Sequence, residues 1–366
     1  MLSKAAEILI GLAVVGLMVN DIFQTAIVPR AVGRRWRASA YWTRATWRLC
    51  LAYTRRLSDP EARERVLGVY APSALILTFV LWLTLLIVGY GLIFHGLRSG
   101  IKPSPSLWDA IYFAGTSVLT IGYGDVVATA GGARFFAILA GATGFASVAI
   151  VTSFLFALFR AFQEREVFVV TFGTRAGAPP SGVELLVTHA RLGLMSDLSG
   201  VFREGQRWTA QVLESHLAYP MLPYFRSSHD YESWVAALGA LLDAATLLIT
   251  TLREEAAGEA RLMHAIGLHA VHDLTNYFRL RSAEGVGIER SEYEAAGERL
   301  RAAGLHPDRT DAAWEAFSAL RAAYAGRLNA LARFFDIPPA QWVGDRSLIV
   351  IEHHGLPAQV VEPVLR

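Results

Sequence analysis

Thr116-Ser117-Val118-Leu119-Thr120-Ile121-Gly122-Tyr123-Gly124-Asp125 is the stretch on which the reading of this chain turns. It closes a short apolar segment, Leu107 to Leu119, well under the roughly 20 residues a helix needs to cross a hydrocarbon core. Two longer apolar runs flank it, Leu67 to Leu97 before and Phe135 to Phe162 after, and a loop with Pro103 and Pro105 separates the first from the short segment. The pattern predicts a short helix followed by a glycine-containing strand, re-entering between two full crossings. Backbone that is not helical is tolerated at membrane depth only where protein buries it or where it lines an aqueous path.

The residue types fit that second condition. A cation that gives up its water shell needs oxygen ligands in its place, and successive rings of backbone carbonyls supply them without a large energy step. Turning neighbouring carbonyls toward one axis demands unusual backbone angles, which Gly122 and Gly124 tolerate. Thr120 adds a hydroxyl at the inner end of the same strand.

Thr120 to Asp125, TIGYGD, resembles the signature filter of the potassium-channel superfamily, in its bacterial, two-helices-per-pore, single-pore form. The resemblance covers roughly residues 67–163. It implies potassium ions held by carbonyl oxygens of Thr120, Ile121, Gly122 and Tyr123, with Gly124 completing the filter. It also implies that Tyr123 packs sideways against the pore helix and that Asp125 braces the outer mouth. Three positions depart from the family pattern. Thr116 stands where an acidic or other hydrogen-bonding residue often supports the filter, Tyr112 and Phe113 replace a tryptophan pair, and Ala128 stands where proline is common. Thr116 and Phe113 are therefore the expected filter supports. One filter strand supplies a quarter of each oxygen ring, so a homotetramer around one axis is expected.

On the third crossing Gly144 aligns with the family's hinge glycine, and two readings stand for it, a hinge or a small residue for close helix packing. Gly141 reads as packing. Phe145, Val148, Thr152 and Phe156 follow at helical spacing and are expected to line the cavity, with Thr152 and Phe156 near the gate and Phe156 as a dewetting constriction. In the competing reading Phe154, Phe156 and Phe159 face lipid or the outer helix. No crossing carries arginine at every third position, so no voltage sensor of the usual kind is expected.

An earlier apolar run, Ile8 to Val19, reaches spanning length only by including Asn20, Asp21 and Gln24, and reads as an additional amino-terminal crossing rather than a signal peptide. Asp21 is expected near the headgroups or paired with a downstream arginine. The segment from Arg30 to Arg56 interleaves eight arginines with Trp36, Tyr41, Trp42, Trp47 and Tyr53. Between two membrane segments this composition reads as an interfacial helix meeting anionic headgroups, not as a nucleic-acid patch. Its charge, reinforced by Arg63 and Arg65, places that connection in the cytoplasm. The re-entrant loop and the amino terminus are then expected outside and everything after Glu164 inside, and the resemblance implies the bacterial inner membrane as the location.

The composition agrees. The 366 residues are 53% hydrophobic and 18% charged, too apolar for an ordinary soluble enzyme, and the net charge of +2 offers nothing to nucleic acid. A single cysteine, Cys50, excludes an internal disulfide. The expected domains are residues 1–31 (first crossing), 32–66 (basic interfacial segment), 67–165 (pore) and 166–366 (a mostly helical cytoplasmic domain for regulation or assembly). The fold class is mainly α. In the last domain a β-like run covers Val167 to Thr171, helices are predicted at 183–196, 200–218, 228–252, 256–280, 290–304 and 309–334, and a short strand at Leu348 to Glu352.

No Gly-x-Gly-x-x-Gly spacing or βαβ alternation suggests a nucleotide-binding tail, and no organic cofactor or enzymatic activity is expected. The whole chain resembles an actinobacterial and proteobacterial group of one-pore channel proteins with a helical tail, on Glu214 to Tyr219, Tyr224 to Asp230 and Ser233-Trp234. That resemblance implies no gating ligand. His264, His269, His272 and Asp273 share one predicted helix, with His216 and His229 elsewhere. Three-residue spacing on one helix supplies only two converging ligands, so these read as core or surface histidines, with pH sensing as the alternative. A membrane-anchored sensor with a silent pore and a weakly selective cation channel are the rival functions.

Overall fold

A computed structural model of the protein describes residues 3–28, 38–227, 232–252, 256–283, 287–337 and 342. Among them the fold is mainly α, with one two-residue antiparallel ribbon, β1 (Ile101–Lys102) against β2 (Val127–Ala128). The chain divides into two units. The first holds Met1–Arg160 together with Ala218–Phe225, and the second holds Ala161–Leu217 and Arg226–Arg366.

In the first unit α1 (Lys4–Ala26) lies along α3 (Pro60–Gly96). Its inward face, Gly11, Val15, Met18, Ile22 and Thr25, repeats at helical spacing. The two helices approach closely because small residues meet. A methyl group added at Gly11 would stand 2.5 Å from the Gly89 carbonyl oxygen. Near its carboxyl end α1 buries Asp21, whose carboxylate accepts from Trp82 Nε1 at 2.7 Å, from the Ser39 backbone N–H at 3.1 Å and from the Ser39 hydroxyl at 3.1 Å. Of the two expectations for Asp21, a headgroup position or an arginine partner, the described residues show neither pairing with arginine nor exposure, and an indole and a serine hold it. This bond set ties α1 to α3 and to α2 (Ala38–Thr54).

The aromatics of α2 divide between two faces. Trp47 is buried, with its ring 4.9 Å from Tyr70 of α3 and 5.2 Å from Tyr224, so it faces protein and not lipid. The exposed face carries Tyr41, Arg44, Arg48, Leu49 and Tyr53. Arg30, Arg34, Arg35, Trp36 and Arg37 lie outside the described residues.

The 12 residues of α4 (Leu107–Val118) follow, then the long α5 (Gly131–Ala176). At 46 residues α5 is about 69 Å long, more than twice a hydrocarbon core. It runs straight through Val167 to Thr171, where a β-like run was expected. Phe168, Val169 and Phe172 recur at helical spacing and are buried there, and Phe168 stacks on Trp208 at 4.4 Å. Packing on one helical face overrides the β preference of these residues.

The second unit continues with α6 (Gly182–Arg191), α7 (Leu198–Ala218), α8 (Trp234–Leu247, extended by a π-turn to Leu252), α9 (Ala257–Phe278), α10 (Arg290–Ala302) and α11 (Asp311–Phe335). The predicted strand at Leu348 to Glu352 lies outside the described residues. Among the described residues four helices are long and apolar enough to cross a membrane: α1, α3, α5 and Trp234–Leu252. The last has 83% of its apolar window buried inside the protein, against 17% for α5. A helix apolar on every side is at home in a core, and α8 is the core helix of this unit. Its Asp243 accepts from Arg321 Nε at 3.0 Å and Tyr324 Oη at 2.6 Å.

His269 and His272 lie on exposed positions beside Asp273, while His264 points elsewhere, edge-on to Tyr324 at 5.7 Å. Among the described residues no three metal-binding side chains converge. His229 lies outside the described residues. His216 is fully buried, its ring tilted at 57° and 4.6 Å from that of Trp234, with Arg165 Nη1 at 3.5 Å. Burial, and then the Arg165 charge, hold its pKa well below the ordinary 6.5. The folded protein keeps this ring neutral while the unfolded chain protonates it, so stability present above pH 6.5 is lost as the pH falls below it. One such group contributes a slope of at most about 1.4 kcal/mol per pH unit. His216→Gln is expected to flatten the pH dependence of denaturation below pH 6.5 by up to that amount, and an unchanged slope would contradict a neutral buried ring.

Candidate functional site

The α4 helix begins at a capping box. Ser106 accepts from the Asp109 N–H at 3.3 Å, and the Ser106 N–H donates back to Asp109 at 3.0 Å. It is about 18 Å long, so it cannot cross, and the chain returns from its carboxyl end as a loop. The ribbon of β1 and β2, with the Thr129 N–H donating to the Gly100 carbonyl at 2.8 Å, clasps the far end of that loop. On its buried side α4 packs Phe113 on Phe94 at 4.7 Å.

The loop's backbone is unusual in a regular way. Thr120, Gly122 and Gly124 have φ of +58°, +62° and +83°, so every second residue is left-handed. Alternating hands turn successive peptide planes the same way, and carbonyls that would zigzag along a strand come to share one side. The amide groups are taken up behind the loop. The N–H of Thr120 donates to the Ser117 carbonyl at 3.0 Å, and those of Ile121 and Gly122 donate to the Thr116 carbonyl at 2.8 and 3.3 Å. Glycine meets the left-handed requirement at two of the three positions. Thr120 meets it at a cost of about 1–2 kcal/mol. Ile121 and Tyr123 are exposed on the single chain. The carboxyl end of α4, where the helix dipole is negative, adjoins this loop and favours cations.

Of the expected supports, Thr116 is buried and acts through its carbonyl; its hydroxyl donates to the Phe113 carbonyl at 3.0 Å. Phe113 contributes packing. Asp125 is held by a residue that the sequence marked only as a departure: the Tyr112 hydroxyl donates to Asp125 Oδ2 at 2.9 Å.

Gly144 lies directly under the end of α4. A methyl group there would stand 1.8 Å from the Val118 carbonyl oxygen, whereas one at Gly141 would meet the Ser117 carbonyl oxygen at an ordinary 3.5 Å. Further along α5, Phe145, Val148, Thr152 and Phe156 are all exposed and share a face. Phe154 is buried against Tyr219 at 5.6 Å, and Phe159 meets Phe225 at 6.0 Å, so the three phenylalanines have three different surroundings.

Comparison with known proteins agrees with this arrangement. A family model described as an ion channel matches residues 76–161, which enclose most of α3, all of α4, the loop and α5 as far as Ala161. A Bacillus subtilis (strain 168) protein named as the uncharacterized membrane protein YdjJ is 24% identical over 238 residues, 63% of this chain. The chain spans 65% of that relative's length. No solved structure matches. Residues 76–161 of this membrane protein are an ion channel domain.

Proposed function

We propose that the protein conducts potassium selectively, as a homotetramer whose four Thr120–Asp125 loops surround one axis. The observation that carries this reading is the alternation of left-handed residues at Thr120, Gly122 and Gly124, with the amides behind them bonded to Thr116 and Ser117. It leaves the carbonyls of Thr120, Ile121, Gly122 and Tyr123 to face ions, which are the only cofactor the reading requires. Rings of four such oxygens replace a potassium ion's hydration shell. Tyr123, exposed on one chain, packs on a neighbouring subunit, and Tyr112 holds Asp125 at the mouth.

Support for assembly comes from α5, whose apolar window is only 17% buried within one chain. Lipid covers part of that surface, and the face with Phe145, Val148, Thr152 and Phe156 lines the shared cavity. Phe156 is the hydrophobic constriction, because Phe154 and Phe159 are engaged elsewhere. Gly144 serves close packing under the pore helix. The exposed arginines of α2 meet anionic headgroups on the cytoplasmic side, which puts the loop outside and the second unit in the cytoplasm of a bacterial cell.

The test is ion uptake by liposomes holding the purified protein. Potassium uptake well above sodium uptake, abolished by Gly122→Asp, is expected. Equal uptake of both ions would identify a weakly selective cation channel, and a folded tetramer passing neither would favour a membrane-anchored sensor.

A further inference from the structure

Tyr219–Phe225, the first part of the connection between α7 and α8, belongs to the first unit although both helices belong to the second. It is short and stiff. Pro220 and Pro223 fix two of its φ angles, and Leu222 donates to the Tyr219 carbonyl at 2.8 Å, followed by Tyr224 to Met221 and Phe225 to Leu222, each at 3.1 Å. Met221, Leu222, Tyr224 and Phe225 are all buried.

Its contacts fall on two sides. On one side, Met221 Sδ accepts from the Thr43 hydroxyl at 3.4 Å, and Tyr224 closes a triangle of rings with Trp47 and Tyr70, at 5.2 and 6.0 Å. These residues are on α2 and at the start of α3. On the other side, Tyr219 lies edge-on to Phe154 and Phe225 edge-on to Phe159, both on α5, flanking the Phe156 position. Seven residues therefore bind the lower part of α5 to α2 and α3 through aromatic contacts. The ends of the segment are fixed within the second unit. His216 is buried against Trp234, and Arg226 Nη2 donates to the Asp336 carbonyl at 2.9 Å beyond the end of α11.

We propose that Tyr219–Phe225 is a strap that holds α5 against the α2–α3 base, and that rearrangement of the second unit, which α7 enters at one end of the strap and Arg226 at the other, sets how far α5 swings at Phe156. This rests on the channel reading and adds the part of the chain through which the second unit acts on the pore. Opening a pore at Phe156 requires the lower part of α5 to move, and the Phe154–Tyr219 and Phe159–Phe225 contacts must shift with it. The strap acts by position alone and touches no ion.

The test uses the full chain in liposomes, with hydrogen exchange over residues 151–160 as a second readout that does not need conduction. Tyr219→Ala with Phe225→Ala is expected to change potassium flux about fivefold or more, within the usual range of coupling between sites. The potassium-to-sodium ratio should stay at its wild-type value, while exchange over 151–160 rises. A variant pair acts in the opposite sense and leaves the aromatic residues in place: Thr43→Cys with Met221→Cys in a Cys50→Ala background, joined by a short bifunctional thiol reagent. Joined protein should exchange more slowly over 151–160 and pass potassium at a rate different from the same protein left unjoined. This pair decides the matter if the alanine variant fails to assemble. Unchanged exchange over 151–160 and unchanged flux on joining overturn the strap. Exchange that follows the strap in a protein passing no potassium contradicts the channel reading, not the strap.

Discussion

Gly144→Ala is expected to destabilise the protein strongly while Gly141→Ala, three residues earlier on the same helix, leaves it unchanged or more stable. Alanine is intrinsically better than glycine inside a helix by about 1 kcal/mol, and that gain applies at both positions. At Gly141 the added methyl meets the Ser117 carbonyl oxygen at 3.5 Å, an ordinary contact, so the gain survives. At Gly144 it would stand 1.8 Å from the Val118 carbonyl oxygen and 2.7 Å from the carbonyl carbon. The obstacle is backbone at the end of α4, not the tip of a flexible side chain, so relief requires moving α5 away from the helix that presents the loop. Overpacking of this kind costs about 1–3 kcal/mol and at times more, which outweighs the propensity gain. Thermal denaturation of the two variants in detergent measures the difference. A pure hinge role for Gly144 predicts instead that alanine leaves stability intact and alters only flux.

The second large effect is at Asp21. Asp21→Ala removes the acceptor for the Trp82 indole N–H, the Ser39 N–H and the Ser39 hydroxyl in one step. Each buried donor left unmatched costs about 1–3 kcal/mol. The Ser39 hydroxyl retains Thr25 Oγ1 at 3.0 Å, which leaves two orphans and an expected loss on the order of 4 kcal/mol. Trp82→Phe removes only one of the three bonds and keeps Asp21 on Ser39, so a loss of about 1–2 kcal/mol is expected. Chemical denaturation of both variants checks the ranking. Equal losses would mean that the Ser39 bonds add nothing and that Asp21 does not fasten α1 to α2.

Much of this fold was legible because membrane crossings are set by one quantity, the length of an apolar run. The runs ending near Val28, Leu97 and Phe162 correspond to α1, α3 and α5, and the short segment after Pro105 is α4 within a residue at its end. The same quantity says nothing about what covers an apolar helix. α1 and Trp234–Leu252 have an identical mean hydropathy of 1.9, yet 33% of the window is buried within the protein in one and 83% in the other. Burial on all sides comes from α6, α9 and α11 packing around α8, a tertiary fact that local composition does not carry.

At the loop, glycine at 122 and 124 announced the positive φ angles, but nothing in a threonine announces that Thr120 shares them. Asp21 and Trp82 are 61 positions apart and Tyr112 and Asp125 are 13 apart. Such pairings depend on how elements are set against one another, so Asp21 read as lying near the headgroups or paired with an arginine, and Tyr112 passed as a mere departure. The β-like run at Val167 to Thr171 misled for a related reason, since short apolar runs read alike as strand or buried helix until their neighbours are known. The strap was visible only as punctuation, Pro220 and Pro223 between two helices, with no hint that its aromatic side chains belong to the first unit.

The most direct measurement is the reversal potential of the reconstituted wild-type protein in a planar bilayer, with potassium-rich salt on one side and, at equal total concentration, sodium-rich salt containing a little potassium on the other. A loop whose carbonyls replace the hydration shell of potassium alone predicts a current that vanishes close to the potassium equilibrium potential. A current that reverses near zero would mean that both ions pass alike, and that Thr120 to Gly124 do not form a potassium filter.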